Sequence, residues 1–93
     1  MRLDVFLKIS RLILRRSLAQ EFCDAGRVVV NGMKAKSSKE VKPNDEIEIR
    51  RRNRVTKIAV LEIPGAKQMS KSAAGDLYKI ISDDILADEN DLS

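Results

Sequence analysis

Histidine and tryptophan are absent from this 93-residue chain, and cysteine occurs once, at Cys23. One cysteine excludes an internal disulfide, and without histidine a zinc site of nitrogen and sulfur ligands cannot be assembled. Ser-His and Cys-His nucleophile pairs fall with the missing histidine. The aromatic side chains are Phe6, Phe22 and Tyr78, too few for an aromatic platform on which RNA bases stack. No apolar run approaches the roughly 18 residues of a membrane span, and Met1-Arg2-Leu3-Asp4 lacks the apolar stretch of a signal peptide. The expectation is a soluble, cytoplasmic protein with no membrane partner, no cofactor and no metal.

Charge is plentiful but uneven. Residues 1–58 carry 15 Lys+Arg against 7 Asp+Glu, residues 59–93 carry 3 against 7, and the whole chain is +4. A basic body with an acidic end suits a polyanionic ligand on one side, although solubility alone also explains it.

Residues 2–14 read as a helix whose apolar face holds Leu3, Phe6, Leu7, Ile13 and Leu14, with Asp4 placed to pair with Lys8 at i+4. A second helix starts near Arg15–Ser17 and runs to Ala25, with Leu18, Phe22 and Ala25 as its stripe. Ser17 and Gln20 resemble a capping box, and Gly26 supplies a left-handed C′ position. Val28-Val29-Val30 reads as a strand, Asn31-Gly32 as a type I′ hairpin turn and residues 33–36 as the return strand. Lys42-Pro43-Asn44-Asp45 reads as a type I turn. Glu46 to Arg50 alternates as a half-buried strand does, Arg50 to Arg54 forms a basic turn, and residues 55–63 form one more strand ended by Pro64-Gly65. The expected organisation is an RNA-binding domain over 1–63, a linker over 64–71, and a C-terminal amphipathic helix over about 72–86 with an acidic tail to 93. A domain this small needs every apolar face it has, so that helix is expected to pack on the sheet rather than dock a partner.

Arg15 and Arg16 stand at a helix start, where the macrodipole disfavours cations by about 0.3–1 kcal/mol. Two arginines there make sense if a phosphate binds, because backbone N–H groups and guanidinium forks converge on one anion. They can equally pair with Asp4, Glu21 or Asp24. Lys8, Arg11 and Arg15 share a face, which is either solvated or turned to a ligand. Lys34, Lys36 and Lys39 flank the hairpin and extend the basic surface. The Arg50–Arg54 cluster, with Arg51 and Arg52 inside it, either touches an RNA backbone or protects a sheet edge. Cys23 is most simply a small buried hydrophobe.

The run Arg2-Leu3-Asp4, Arg15-Arg16-x-x-Ala19, Gly26-Arg27-Val28-x-Val30-Asn31-Gly32 and Val41-x-Pro43-x-Asp45-x-Ile47 resembles the S-four RNA-binding domain. That resemblance spans roughly residues 2–50. It implies an α+β fold, the αL motif, with two N-terminal helices on a short, mainly antiparallel sheet, followed here by a C-terminal strand and helix. It also implies a basic face turned to structured RNA. The short chain that begins Arg-Leu-Asp further resembles the family of RqcP and the ribosome-associated heat-shock protein, the RqcP branch more closely.

The implied activity is non-enzymatic. Such a factor binds the separated large ribosomal subunit carrying peptidyl-tRNA and supports alanine tailing of stalled chains. Its implied partners are large-subunit ribosomal RNA, tRNA and a quality-control protein on the ribosome, and off the ribosome it is expected to be a monomer. The RNA-binding residues implied are Arg2, Lys8, Arg11, Arg15, Arg16 and Lys36, with Asp4, Arg27, Lys34, Arg51 and Arg52 in support. Positions 11 and 15 are Arg where many domains of this class carry Gly and Ser. The missing Ser bears on how the second helix is capped, and both changes add positive charge to the expected RNA face. A general structured-RNA or RNA-chaperone module is the alternative. An RNA-modifying enzyme is a third class, disfavoured by the short chain and the lack of a catalytic constellation.

Overall fold

A computed structural model describes residues 1–65 and 71–85 of the chain. Helix α1 spans Leu3–Ile9 and buries Leu3, Phe6, Leu7 and Ile9. It stops well short of the predicted residue 14. The chain leaves the helix at Ser10 and turns through Arg11, whose φ is 62°. Ile13 N–H then donates to the Leu7 carbonyl at 3.1 Å. This break folds Ile13 into the core and leaves Leu14 on the surface.

Helix α2, Arg16–Asp24, has its N-cap at Arg15 and no side-chain cap, so the predicted Ser17–Gln20 capping box does not form. Its buried line is Ala19 and Cys23, with Phe22 at the flank and Leu18 and Ala25 exposed. The stripe is thus rotated by one residue from the predicted one. The end of α2 is as expected: Gly26, at φ 71°, donates to the Cys23 carbonyl, and Arg27 N–H donates to that of Phe22 at 2.9 Å. These two bonds make a Schellman motif.

Strand β1 (Val28–Val30) and strand β2 (Met33–Lys34) form the predicted hairpin. Asn31 and Gly32 both take positive φ, as a type I′ turn demands. The return strand is two residues rather than four, although Ala35 N–H still reaches the Val28 carbonyl. The Pro43 turn closes by a bond from Asp45 N–H to the Lys42 carbonyl. Asn44 sits at φ 76°, so the turn is type II and not the predicted type I. Asparagine tolerates the left-handed region better than most residues, and that permits the difference.

Strand β3 (Glu46–Arg50) points Ile47 and Ile49 fully inward. Strand β4 (Arg54–Val60) pairs with it from Glu46–Ala59 to Arg50–Val55. The largest difference comes next. Helix α3 is only Lys71–Gly75, and residues expected to continue it form strand β5, Tyr78–Ile85, antiparallel to β4. Helical spacing of Ile80, Ile81 and Ile85 suggested an amphipathic helix. In the fold, β-branched isoleucines extend a sheet, and a register shift beside Ile58 accommodates the doublet Ile80-Ile81. All three stay exposed, and the burial expected of them is supplied by Ala74 and Leu77. The acidic tail beyond residue 85 lies outside the described residues.

The five strands run in the order β2-β1-β3-β4-β5, every pairing antiparallel. Phe6, Leu3, Leu7, Val28, Val41, Ile47, Ile49, Ile58 and Val60 form the core between helices and sheet. Among the described residues no helix is long and apolar enough to cross a membrane.

Candidate nucleic-acid interface

The start of α1 is tied down from outside the helix. Leu3 N–H donates to the Lys39 carbonyl at 2.7 Å, and Asp4 N–H donates to that of Ser37 at 3.1 Å. Arg2 forms a β-bridge with Glu40, and Val41 N–H donates to Met1. The 37–41 strap therefore satisfies the first helix donors, which would otherwise call for a cap or an anion.

The Asp4 side chain, fixed by that strap, is fully buried. Its Oδ1 accepts from Val5 N–H at 2.8 Å and from Arg2 Nε at 3.2 Å. Its Oδ2 accepts from Gln20 Nε2 at 2.9 Å, Arg16 Nε at 3.2 Å and Arg2 Nη2 at 3.3 Å. Burial pushes the Asp4 carboxyl up, but the hydrogen bonds from Gln20 and Arg16, the Arg16 charge and the Val5 N–H outweigh it and hold it below its ordinary value. The group is thus a carboxylate at neutral pH. Of the partners expected for Asp4, Arg16 is among its donors and Lys8 is not.

Two guanidiniums share this one carboxylate, and each side chain is about half exposed, 48% for Arg2 and 49% for Arg16. A guanidinium has five N–H donors in a rigid fork. With one or two used on Asp4, the rest are held at defined angles toward the surface. The cluster keeps a net positive charge and fixed donors, which is what bidentate recognition of a phosphate requires.

Arg15 is exposed beside the cluster, at the uncapped N-terminus of α2. Lys8 is exposed in the last turn of α1, and Arg11 is exposed at the left-handed position that follows. Lys39 belongs to the strap at the start of α1, and Lys36, just before it, accepts from Lys39 N–H through its carbonyl. The structure therefore joins Arg2, Asp4 and Arg16 directly and sets Arg15, Lys36 and Lys39 on segments adjoining them.

Most of the other candidates are engaged elsewhere. The Arg27 guanidinium lies 5.6 Å from the centre of the Phe22 ring. The Lys34 side chain runs over Gly26, at the C-terminal end of α2, where the dipole favours a cation. Arg51 Nη2 donates to the Leu12 carbonyl at 2.7 Å, which steadies the chain after α1. Arg50 pairs with Glu48 at 2.6 Å, and Arg54 pairs with Asp83. Arg52 is exposed on the β3–β4 connection. The densest basic run in the sequence is thus spent mainly on internal contacts. Gln20 is a participant that sequence reasoning missed: its side chain suggested a local cap, and nothing local points it at Asp4. Cys23 is buried as expected, and burial pushes its thiol up to about 11, so it is inert at neutral pH.

Residues 1–47 match the S4 domain family. An RQC P-site tRNA stabilizing factor from Streptococcus pneumoniae is 47% identical over 83 residues, which is 89% of this chain and 92% of that protein. One from Bacillus subtilis is 42% identical over 88 residues, 95% of this chain and all of its own length. The chain belongs to the S4-domain family of RQC P-site tRNA stabilizing factors. Its fold is similar to that of the trimeric Vibrio cholerae Heat Shock Protein 15, with a TM-score of 0.78 and 31% identity over 88% of this chain and 82% of the other. The whole Asp4 cluster lies within the segment matching the S4 domain, whereas Arg51, Arg52 and the β4–β5 pair lie beyond it.

Proposed function

We propose that this chain is a non-catalytic, cytoplasmic RNA-binding factor of ribosome-associated quality control. It binds the separated large ribosomal subunit that still holds peptidyl-tRNA, touching ribosomal RNA and tRNA, and so supports alanine tailing of the stalled chain. Its relatives, RQC P-site tRNA stabilizing factors, support this reading. The observation that carries it is the pair of half-exposed guanidiniums, Arg2 and Arg16, locked to one fully buried carboxylate at Asp4. An arrangement made only for stability has no need of a second arginine with outward donors on a surface this basic.

Arg2 and Arg16 clasp phosphates, Asp4 and Gln20 orient them, and Arg15, Lys8, Arg11 and Lys36 add charge around them. Arg27, Lys34, Arg51 and Arg52 form the periphery of the face. A quality-control protein on the same subunit is the expected protein partner. The test is a sucrose gradient of cell lysate in which stalled complexes accumulate, with the protein followed by immunoblot. Co-migration with large subunits is expected, and a protein that stays at the top of the gradient overturns the reading. A parallel titration against tRNA, ribosomal RNA helices and random single strands is expected to favour the structured RNAs. Equal affinity for all three identifies a general RNA-binding module instead.

A further inference from the structure

The β1–β2 hairpin and the strap after it line an open groove of about 430 Å³. Its lining combines Val30, Met33 and Ala35 with Lys34, Lys36 and Lys39, and no acidic residue is among the lining residues. Met33 is 74% exposed. The groove's lining includes Lys39, whose carbonyl accepts from Leu3 N–H at the start of α1 and so ties this strap to the helix that carries Asp4.

We infer that this groove is a docking site for one unstacked nucleobase of the bound RNA, with Lys36 and Lys39 on its flanking phosphates. The inference rests on the RNA-binding reading and extends it from phosphate grip to base contact. A lining of apolar side chains and lysines, free of acidic residues, complements a flat aromatic group carried on a polyanion. The Met33 thioether is flexible and polarizable and packs favourably against a π-face. Among the described residues, strand β2 is a sheet edge, paired only with β1. Ala35 N–H bonds Val28, which places Lys34 at the non-bonded position of the ladder. Its main-chain N–H and C=O therefore face away from β1, off the edge that the groove borders. A free donor and acceptor beside apolar lining residues match the hydrogen-bonding edge of a base.

The test begins with a photoreactive benzoylphenylalanine in place of Met33, bound to purified large subunits and to total tRNA, with the crosslinked nucleotide mapped. That nucleotide is then made abasic in a synthetic RNA, and binding is compared for the wild-type chain and Met33→Ala. Crosslinking to one unpaired nucleotide is expected. Loss of that base is expected to weaken wild-type binding roughly ten-fold, the scale of one docked base, and to weaken Met33→Ala binding much less. Crosslinks confined to protein, or an affinity indifferent to the base, overturn the inference. Arg16→Ala in the same assay separates the two readings. If it loses affinity while base removal does nothing, RNA binding stands and the groove site falls. If it binds like the wild type, the RNA face itself is misplaced.

Discussion

The Asp4 carboxylate and the Arg16 guanidinium, twelve residues apart in the chain, meet at 3.2 Å across the contact of α1 and α2. This bond makes one object of the two helix starts, so the positions of Arg2 and Arg16 are set together rather than each by its own helix.

Arg16→Ala is expected to weaken binding to structured RNA by roughly 1–3 kcal/mol and to lower the salt slope by about one. The fold is expected to survive, because Asp4 keeps Arg2, Gln20 and Val5 as donors. Fluorescence anisotropy across a salt series measures the first effect, and circular dichroism checks the second. Unchanged affinity at moderate salt counts against the site.

Asp4→Asn turns an amide donor toward the donors of Arg2, Arg16 and Gln20. Loss of charge-assisted bonds at a buried position is expected to cost about 1–3 kcal/mol of stability, read by urea denaturation. RNA affinity is expected to fall as well, although Asp4 itself carries the wrong charge to touch phosphate. A stable variant with undiminished binding would show that the carboxylate does not orient the arginines.

Arg11 provides a test of backbone strain. Its φ of 62° lies in the left-handed region, which costs an ordinary residue about 1–2 kcal/mol and glycine almost nothing. Arg11→Gly and Arg11→Ala both remove the side chain, so the difference between them isolates the backbone. The glycine variant is expected to be the more stable by about 1 kcal/mol, a gap of several degrees in melting temperature for a domain of this size. Equal melting points would mean that the turn relaxes.

Acidification is expected to destabilise the fold below about pH 4. The Asp83 carboxyl is held down at about 2, chiefly by hydrogen bonds from Arg54, and the Asp4 carboxyl is also lowered. A carboxyl depressed in the folded state contributes its full stabilisation above its ordinary value of 3.8. That contribution is lost as pH falls from there through the depressed value. Thermal melts from pH 7 to pH 2 measure the decline, and Asp83→Asn is expected to flatten it. An identical slope in that variant would exclude the Arg54–Asp83 pair as a source.

Much of the fold was legible where short-range sterics decide. Gly26 ended α2, Asn31-Gly32 closed a type I′ hairpin, and Ile47 and Ile49 alternated inward. Residues 78–85 were misread because isoleucines at 80, 81 and 85 satisfy a helical wheel as well as a bulged edge strand. The choice between them depends on β4, whose own edge was free to pair. The candidate site was legible in its cations and in the pairing of Asp4 with Arg16, but not in Gln20 as a further donor to that carboxylate. Arg16 was marked by its charge at a helix start, while Gln20 carried no local sign of its role.

The sequence by itself determined the local punctuation of the chain, because turn stereochemistry is a property of a few neighbouring residues. Only the tertiary structure decided which basic groups face outward. Arg51 is spent on Leu12, 39 residues away, and Arg54 on Asp83, 29 away, while Arg2 and Arg16 keep donors to spare. Hydrogen bonds of this kind form only after helices and strands have packed, and no local pattern records them.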